Sequence, residues 1–311
     1  MSARGKGSMS PDRAPISGLK FFLTKWRRSK MRRMTGLLFV ITFLWGSTFI
    51  FSKVVLPHFS PAFILFIRFF VSAILFFLLF HKHIKLEKKV VRVGLFIGLA
   101  NGTAMFFQLI GLQFTTAINS GFITSIYIVF VPILEYLGWK KRLKRSIPIS
   151  ILLSLGGIYL LSTGGAILHL NRGDILTVFC GITFALQIYL ISYYGRFYDT
   201  FTLVFIQFVV TFIMGLATIL FQGGIVRGAD YLQWDVIGAL AILTVLGTFI
   251  PFAMQFFIQK KISPTVAGII YLSEPVFATI LAFLILGERL VTLQWGGIFL
   301  ILSGIFISIR R

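Results

Sequence analysis

The sequence predicts an all-α polytopic membrane protein, with ten transmembrane helices arranged as a 5+5 repeat of inverted topology. The first observation is composition: of 311 residues, 57% are hydrophobic and 13% are charged, about half the charged fraction of a soluble domain. The second is a series of long apolar runs, and the third is an internal match at a constant offset. Composition excludes a soluble enzyme and a disordered chain, and the single cysteine, Cys180, cannot form an intramolecular disulfide or a zinc site.

Ten apolar runs are long enough to cross a bilayer, which requires about 20 residues per helix. Their connections are short, so no soluble domain is inserted between them. Trp139, Trp234 and Trp295 fall at the ends of runs, where an amphipathic ring prefers the headgroup level. The predicted spans are residues 36–56, 60–80, 91–113, 118–139, 147–165, 174–195, 200–221, 235–258, 264–286 and 292–309.

The basic residues predict the orientation of these spans. With a cytoplasmic N-terminus, 25 of the 30 Lys and Arg residues fall in cytoplasmic segments and 3 in external loops, as the positive-inside rule requires. Lys53 and Arg68 remain inside spans. We therefore expect both termini on the cytoplasmic side of the inner membrane of a bacterium. Basic clusters between spans also explain the net charge of +21 without a nucleic-acid partner.

Residues 1–34 form a basic tail before the first span. Segment 15–33 places apolar side chains at roughly helical spacing among Lys and Arg, a pattern typical of an amphipathic helix on an anionic membrane surface. An extension that is not native, with Met31 or Met34 as the true start, explains the tail equally well.

The chain matches itself without gaps at an offset of 147 residues, which divides it into a first repeat, 35–165, and a second, 174–309. The glycines strengthen the match, because Leu and Ile identities are common by chance in apolar helices. Matched pairs include Gln108 with Gln255, Gly121 with Gly268, Val129 with Val276, Arg142 with Arg289 and Gly157 with Gly304.

Each repeat contains five spans, and an odd number turns the second repeat upside down relative to the first. The charges agree, since the basic segment 140–145 matches 287–292 on the other side. Conversely, Gln113 and Phe114, outside, match Lys260 and Lys261, inside. Inverted repeats around a midplane cavity are typical of secondary transporters, because two near-equivalent packings give two openings.

Several motifs resemble those of the EamA family of the drug/metabolite transporter superfamily. Residues 43–49 (FLWGSTF) resemble the Trp-Gly-Ser motif of its first span, and Arg68 lies where its second span often has an arginine. Residues 272–276 (LSEPV) and 286–290 (LGERL) resemble its signature in the second repeat. The resemblance covers residues 35–309 and implies ten helices, a 5+5 inverted repeat and transport of small metabolites. One departure is Lys140-Lys141-Arg142, where the family often has Gly-Glu-Arg.

Ionisable side chains at membrane depth are costly, so each is a functional candidate. Arg68 lies seven residues past Pro61, about 10 Å below the outer end of its helix. Its charge is permanent, so it would hold an anionic substrate group or pair with an acidic residue. Bonding to neighbouring carbonyls, or snorkelling outward, is the structural alternative.

Glu274 lies ten residues beyond Pro264, about 15 Å from the inner face and therefore near the midplane. Pro275 follows and disturbs the helix. A carboxyl at this depth would carry a coupled proton, remain ionised beside Arg68, or serve packing alone. Its helix face also carries Gly268, Tyr271, Ala278 and Ala282.

Polar and aromatic side chains at similar depth complete the candidate site. Tyr127 is the repeat partner of Glu274, and Gln108 and Gln255 are repeat partners that could pair across the pseudo-twofold axis. For these residues, ordinary hydrogen bonding between helices is the alternative. The substrate-binding and coupling candidates are Arg68, Glu274, Tyr127, Trp45, Gln108, Gln255, Tyr271 and Gln187.

Glu135, near the inner end of its span, is expected to snorkel toward Lys140 and Arg142, so it is not among the site candidates. The four His residues fall in loops or at span ends, and no HExxH, Walker A or GxSxG motif occurs. We therefore expect no enzymatic activity, cofactor or metal, and transport driven by a gradient or by facilitated diffusion.

The function predicted from these features is alternating-access transport of an amino acid or related metabolite, with proton coupling as an option. The expected partners are this small-molecule substrate, the lipid bilayer and, in the coupled case, protons, with the protein a monomer or a homodimer. A flippase for a lipid-linked substrate is one alternative. A membrane receptor or assembly subunit that does not transport is another.

Overall fold

The computed structural model describes residues 16–140, 143–166, 171–222, 233–287 and 289–309. Contacts divide the chain into two compact units, Met1–Leu37 and Leu38–Arg311. The α-helices of the described residues are α1 (Ile16–Val55), α2 (Pro61–Phe80), α3 (Lys88–Gly111), α4 (Ala117–Thr124), α5 (Tyr127–Trp139), α6 (Ser146–Thr163), α7 (Arg172–Tyr194), α8 (Thr200–Gln222), α9 (Trp234–Thr244), α10 (Ile250–Gln259), α11 (Pro264–Tyr271), α12 (Ser273–Leu286) and α13 (Thr292–Ile309).

Ten segments of this helical structure are long and apolar enough to cross a membrane. Each lies within a few residues of a predicted span, which confirms the all-α membrane fold. The surface of these segments is apolar: Leu152 is 70% exposed, Phe299 is 70% exposed and Phe221 is 91% exposed. Contiguous exposure of large apolar side chains is what a lipid-facing surface requires.

The fourth and ninth spans are each broken in the middle, whereas the sequence predicts a continuous helix in the fourth span and a disturbance at Pro275 in the ninth. Helix α4 ends at Thr124 and α5 begins at Tyr127, while α11 ends at Tyr271 and α12 begins at Ser273. An offset of 147 residues superimposes α4 on α11 in the sequence, end to end. The two repeats therefore share a helix break as well as a sequence match.

Different side chains lie at these two breaks. Pro275 has no N–H to donate to the carbonyl of Tyr271, four residues earlier, and its ring crowds that carbonyl. In the first repeat, the hydroxyl of Ser125 donates to the carbonyl oxygen of Gly121 at 2.7 Å, which competes with the helical bond. The helix break that Pro275 predicts therefore lies at Leu272, three residues before the proline.

The eighth span contains a π-helical turn, Val245–Phe249, between α9 and α10. Pro251 follows it and cannot donate to the carbonyl of Gly247, so the regular α-helical ladder is interrupted at this point. A Cβ on Gly247 would lie 2.5 Å from Cγ2 of Thr48, so the turn packs closely against α1.

Helices α6 and α13, the fifth span of each repeat, pack against each other through small residues. A Cβ on Gly157 would lie 2.7 Å from the carbonyl oxygen of Gly297, and a Cβ on Gly304 would lie 2.8 Å from that of Ser150. The residue numbers rise on one helix as they fall on the other, so the helices run antiparallel. Antiparallel packing of equivalent spans is the geometry of an inverted repeat.

Candidate substrate cavity

A cavity lies among the broken helices of the bundle. It offers about 40 Å³ to the centres of water molecules, and about 480 Å³ of empty space including its mouth. One water molecule requires about 10–15 Å³ of the volume open to water centres, so this cavity has room for several. Its lining comprises Trp45, Thr48, Arg68, Met105, Gln108, Thr124, Tyr127, Phe184, Gln187, Ile188, Gly247, Phe252, Gln255, Tyr271 and Glu274.

All eight residues selected from the sequence are in this lining. Trp45, Arg68, Gln108 and Tyr127 come from the first repeat, and the other four come from the second. The cavity is therefore formed where the two repeats meet, with one charged side chain from each: Arg68 on α2 and Glu274 on α12. Whether these residues bind a substrate stays a prediction.

Arg68 is only 2% exposed and is held by the π-helical turn. Its Nε donates to Oγ1 of Thr248 at 2.8 Å. Its carbonyl oxygen accepts from the hydroxyl of Ser72 at 2.7 Å within α2, and the same hydroxyl lies 3.5 Å from the carbonyl oxygen of Thr244 in the eighth span. In the described residues no carboxylate lies within ion-pairing distance of Arg68, so its partners are neutral.

Glu274 lies in the first turn of α12, directly after the helix break. In the part of the chain that the structure describes, its carboxylate makes no hydrogen bond and no ion pair. The two tyrosines that line the cavity with it are deeply buried, Tyr127 at 4% exposure and Tyr271 at 1%. The hydroxyl of Tyr127 also has no hydrogen-bond partner there, so two polar groups of the lining are available to a ligand.

A network of buried amides extends from the cavity along α7 and α10. Gln187 and Gln255 donate to each other at 3.2 and 3.3 Å, and Gln187 also donates to Oε1 of Gln207 at 3.2 Å. Gln255 donates to Oε1 of Gln259 at 2.9 Å, an oxygen that also accepts from Tyr271 at 2.7 Å. Gln255 therefore pairs with Gln187 rather than with its repeat partner Gln108.

Aromatic rings form the apolar walls of the cavity. Trp45 lies with its ring centre 5.2 Å from that of Phe252 and 5.4 Å from that of Tyr271. Its indole Nε1 is buried and has no hydrogen-bond partner among the described residues. The wall thus combines ring faces with a donor that remains unused.

A second cluster lies at the end of the bundle that carries Lys85, Trp139, Arg196 and Lys260, here called the basic end. Nε of Arg196 donates to the carbonyl oxygen of Lys260 at 3.1 Å, and Nη2 donates to that of Ile262 at 3.4 Å. The guanidinium also lies 4.3 Å from the ring centre of Trp139. Partial burial lowers the pKa of Arg196, whereas Glu135 raises it.

Glu135 belongs to this cluster, and its expected position was wrong. It does not snorkel: it is 7% exposed, and its Oε2 accepts from the backbone N–H of Thr265 at 3.0 Å. Thr265 lies in the first turn of α11, where free N–H groups and the helix dipole favour a carboxylate. Arg142, one of the expected partners of Glu135, lies outside the described residues.

The opposite end of the bundle is joined by Lys53 and Asp174. The ammonium of Lys53 donates to the carbonyl oxygens of Leu112 and Thr115, both at 2.8 Å. The hydroxyl of Thr115 donates to Oδ1 of Asp174 at 2.7 Å. Contacts between repeats therefore lie on both sides of the cavity.

The sequence did not select Thr248, which is not part of the cavity lining but forms a hydrogen bond with Arg68, a residue of that lining. Its signal is the proline three residues later, which interrupts the eighth span at the turn. Gln207 and Gln259 also went unselected, although both belong to the amide network that begins at the cavity. Among the described residues, no group of three His, Cys, Asp or Glu side chains comes together to hold a metal.

Comparison with known proteins places these features in a family. The sequence profile of the EamA-like transporter family matches residues 33–163 and 171–310, one match for each repeat. A protein of Archaeoglobus fulgidus described as an uncharacterized transporter is 34% identical over 272 residues, covering 88% of this chain and 84% of its own length. An uncharacterized transporter of Methanothermobacter thermautotrophicus is 25% identical over 205 residues, covering 64% and 58%.

A solved structure shares the fold. A protein crystal structure superimposes with a TM-score of 0.73 at 15% sequence identity, covering 89% of this chain and 96% of its own. The two profile matches cover nearly all of the chain beyond the basic tail. The chain belongs to the EamA-like transporter family.

Proposed function

We propose that the protein is a secondary transporter that carries a small metabolite, an amino acid or a related compound, by alternating access. The observation that carries this proposal is the cavity between the repeats, with Arg68 contributed by one repeat and Glu274 by the other. Buried charges inside a membrane are retained where they serve a substrate or ion path. Inverted repeats place such a path at their interface.

The lining favours a small zwitterion with an apolar part. Arg68 suits a carboxylate and Glu274 suits an ammonium group, while Trp45, Phe184 and Phe252 supply apolar walls. Pockets of this type orient a ligand with a few polar groups and bury the remainder against rings. An amino acid has this distribution of charge and apolar surface.

Alternating access is supported by contacts at both ends of the bundle, on either side of the cavity. At the basic end, Arg196 and Glu135 tie the connection between α10 and α11 to neighbouring helices. At the opposite end, Lys53 and Asp174 bind the segment between α3 and α4. Breaking the contacts at one end while keeping those at the other would open the cavity to one side of the membrane.

Proton coupling is the second part of the proposal and assigns the proton to Glu274. Burial penalises the charged form of a carboxyl, and Glu274 has no hydrogen bond or ion pair in the described residues to offset that penalty. The titratable groups around it are Tyr127, Tyr271 and Cys180, with Arg68 in the same lining. Protonation would release a substrate ammonium group from Glu274.

The proposed location is the cytoplasmic membrane of a bacterium, with both termini in the cytoplasm. The distribution of Lys and Arg supports this orientation, with 25 residues in segments on one side and 3 on the other. The basic end of the bundle is then the cytoplasmic end.

Counterflow in proteoliposomes tests the proposal. Vesicles loaded with an unlabelled compound are offered the same labelled compound, across a panel of amino acids, nucleosides and cationic drugs, with and without a pH gradient. We expect at least one amino acid to accumulate transiently, and the gradient to accelerate its net uptake or release. Absence of counterflow for every panel member, from vesicles with folded protein, would contradict the proposal.

A further inference from the structure

Thr248 holds the guanidinium of Arg68 in a defined orientation. The threonine is fully buried, and its hydroxyl donates to the carbonyl oxygen of Leu243 at 2.8 Å. A hydroxyl carries one hydrogen, so the same oxygen is left as an acceptor, and Nε of Arg68 donates to it at 2.8 Å. The direction of both hydrogen bonds is therefore fixed.

This contact decides which part of Arg68 can meet a ligand. A guanidinium is planar and presents five N–H donors, which bind carboxylates through either the Nε edge or the Nη1/Nη2 end. Thr248 takes the Nε donor. In the described part of the chain, neither Nη atom has a hydrogen-bond acceptor, and Arg68 is the one Lys or Arg in the cavity lining. Only the Nη1/Nη2 end remains for two parallel bonds.

The turn that carries Thr248 is itself set by close packing. Gly247 precedes it, and a Cβ there would lie 2.5 Å from Cγ2 of Thr48 on α1. Pro251 removes the backbone donor that would otherwise restore a regular helix. The hydroxyl of Thr248 donates to the carbonyl oxygen of Leu243, five residues earlier, so this carbonyl beside the π-helical turn has a hydrogen-bond partner. The Thr248 hydroxyl thereby bonds its own span through its hydrogen and α2 through its oxygen.

We propose that Thr248 is a positioning residue, which turns the Nη1/Nη2 end of Arg68 into the cavity as a subsite for a single planar carboxylate. One unpaired cation matches one negative charge, and the flat end of the guanidinium matches a carboxylate. The inference rests on the proposed role of the cavity as the substrate site. It adds that recognition depends on a residue with no ligand contact of its own.

Benzoate and benzamide are the probes, because they share a flat shape and differ in charge. Binding is measured in detergent as a rise in unfolding temperature, reported by a thiol-reactive dye on Cys180. This residue is the chain's single cysteine and is fully buried in the folded protein. Sodium benzoate replaces sodium chloride at constant ionic strength. The full-length protein is compared with Thr248→Val, Thr248→Ser and the matched control Thr244→Val.

The control removes a hydroxyl of the same kind from the same span. Thr244 is 4% exposed and its hydroxyl donates to the carbonyl oxygen of Leu240 at 2.7 Å, and among the described residues it forms no hydrogen bond with Arg68. We expect benzoate, and not benzamide, to stabilise the wild type, Thr248→Ser and Thr244→Val. In Thr248→Val the benzoate dissociation constant should rise about tenfold, as loss of one charge-assisted hydrogen bond predicts.

Three results would overturn the inference: no stabilisation of the wild type by benzoate, equal stabilisation by benzamide, or unchanged benzoate affinity in Thr248→Val. The ligand-free unfolding temperature reports whether each variant folds, and the smaller Thr248→Ala replaces Thr248→Val if valine prevents folding. Benzoate binding without counterflow of any panel compound removes the proposed function and keeps the subsite. Counterflow by the wild type, together with unchanged benzoate affinity in Thr248→Val, would remove the proposed role of Thr248 and keep the proposed function.

Discussion

A Cβ atom on Gly46 would lie 2.8 Å from the carbonyl oxygen of Glu274. Helices α1 and α12 therefore touch backbone to backbone where the Trp-Gly-Ser and Ser-Glu-Pro motifs meet. A hydrogen bond of 2.7 Å between the hydroxyls of Thr42 and Ser273 lies beside this contact. The two motifs that identify the family are thus one packing unit, which sets the position of Glu274 at the cavity wall.

The first prediction concerns this contact. Gly46→Ala should destabilise the protein by about 1–3 kcal/mol, the usual cost of overpacking, because the new methyl group meets backbone atoms that cannot rotate away. The dye assay on Cys180 measures this as a lower unfolding temperature. Gly156→Ala is the matched control, since nothing lies within 4 Å of a Cβ there. That change should be neutral or stabilise by up to about 1 kcal/mol through helix propensity. Equal effects of the two substitutions would contradict the packing argument.

The second prediction separates transport from coupling at Glu274. Glu274→Gln preserves the shape of the side chain but cannot bind or release a proton in the relevant range. We expect a pH gradient to lose its effect on net transport. Counterflow, which needs no net proton movement, should persist but require a higher substrate concentration, because an amide binds an ammonium group less tightly than a carboxylate does. Asp235→Asn, which removes an exposed carboxylate in the first turn of α9, should leave the pH dependence unchanged. A Glu274→Gln variant that still responds fully to the gradient would remove Glu274 from the coupling role.

The sequence predicts the architecture well because the bilayer constrains it strongly. A span must be long and apolar, which leaves a clear signal in composition, and all ten predicted spans correspond to helical segments. The inverted repeat was also predictable, because glycines such as Gly157 and Gly304 survive in both halves for close helix contact. Trp139 and Trp234 at helix ends follow from the preference of amphipathic rings for the interface.

Local polar chemistry was harder to predict. Burial depth can be estimated by counting residues along a helix, so the charges and amides that line the cavity could be selected. Hydrogen-bond partners depend on how helices rotate and break, which counting does not give. Glu135 shows this: its partner, the N–H of Thr265, exists because a new helix begins there. Thr248 shows it as well, since a π-helical turn directs its hydroxyl toward Arg68.

The third prediction concerns the sidedness of the spans in the second repeat. In a Cys180→Ser background, Phe221→Cys and Lys261→Cys should react with a membrane-impermeant thiol reagent from opposite sides of the membrane. Both positions are exposed and lie at the ends of consecutive spans, at opposite ends by helix count. The positive-inside rule predicts that Lys261 lies in the cytoplasm. Reaction of both cysteines with reagent added to intact cells would contradict the topology. Lysed cells provide the control that each cysteine is reactive.

The last prediction concerns the closure at the basic end. Arg196 bonds two carbonyl groups between α10 and α11 and stacks on Trp139 at the end of α5. Behind this contact, the hydroxyl of Ser192 accepts from Nε2 of Gln259 at 3.1 Å and is fully buried. Arg196→Ala removes the charged donors and the stacked ring contact together, so the α10–α11 connection should separate more often from α7.

The separation is measured with Ser192→Cys in the Cys180→Ser background, as the rate at which this cysteine reacts with a thiol reagent. The rate should rise about tenfold with Arg196→Ala, because losing one hydrogen bond from a charged donor changes an opening equilibrium by about that factor. Arg92→Ala, an exposed arginine on α3, should leave the rate unchanged. Addition of a transported substrate that favours the closed state should lower this reaction rate again. Equal rates of thiol modification in Arg196→Ala and Arg92→Ala would contradict this prediction. The contacts at the basic end would then depend on the buried amides rather than on this arginine, and opening would have to begin at Gln259.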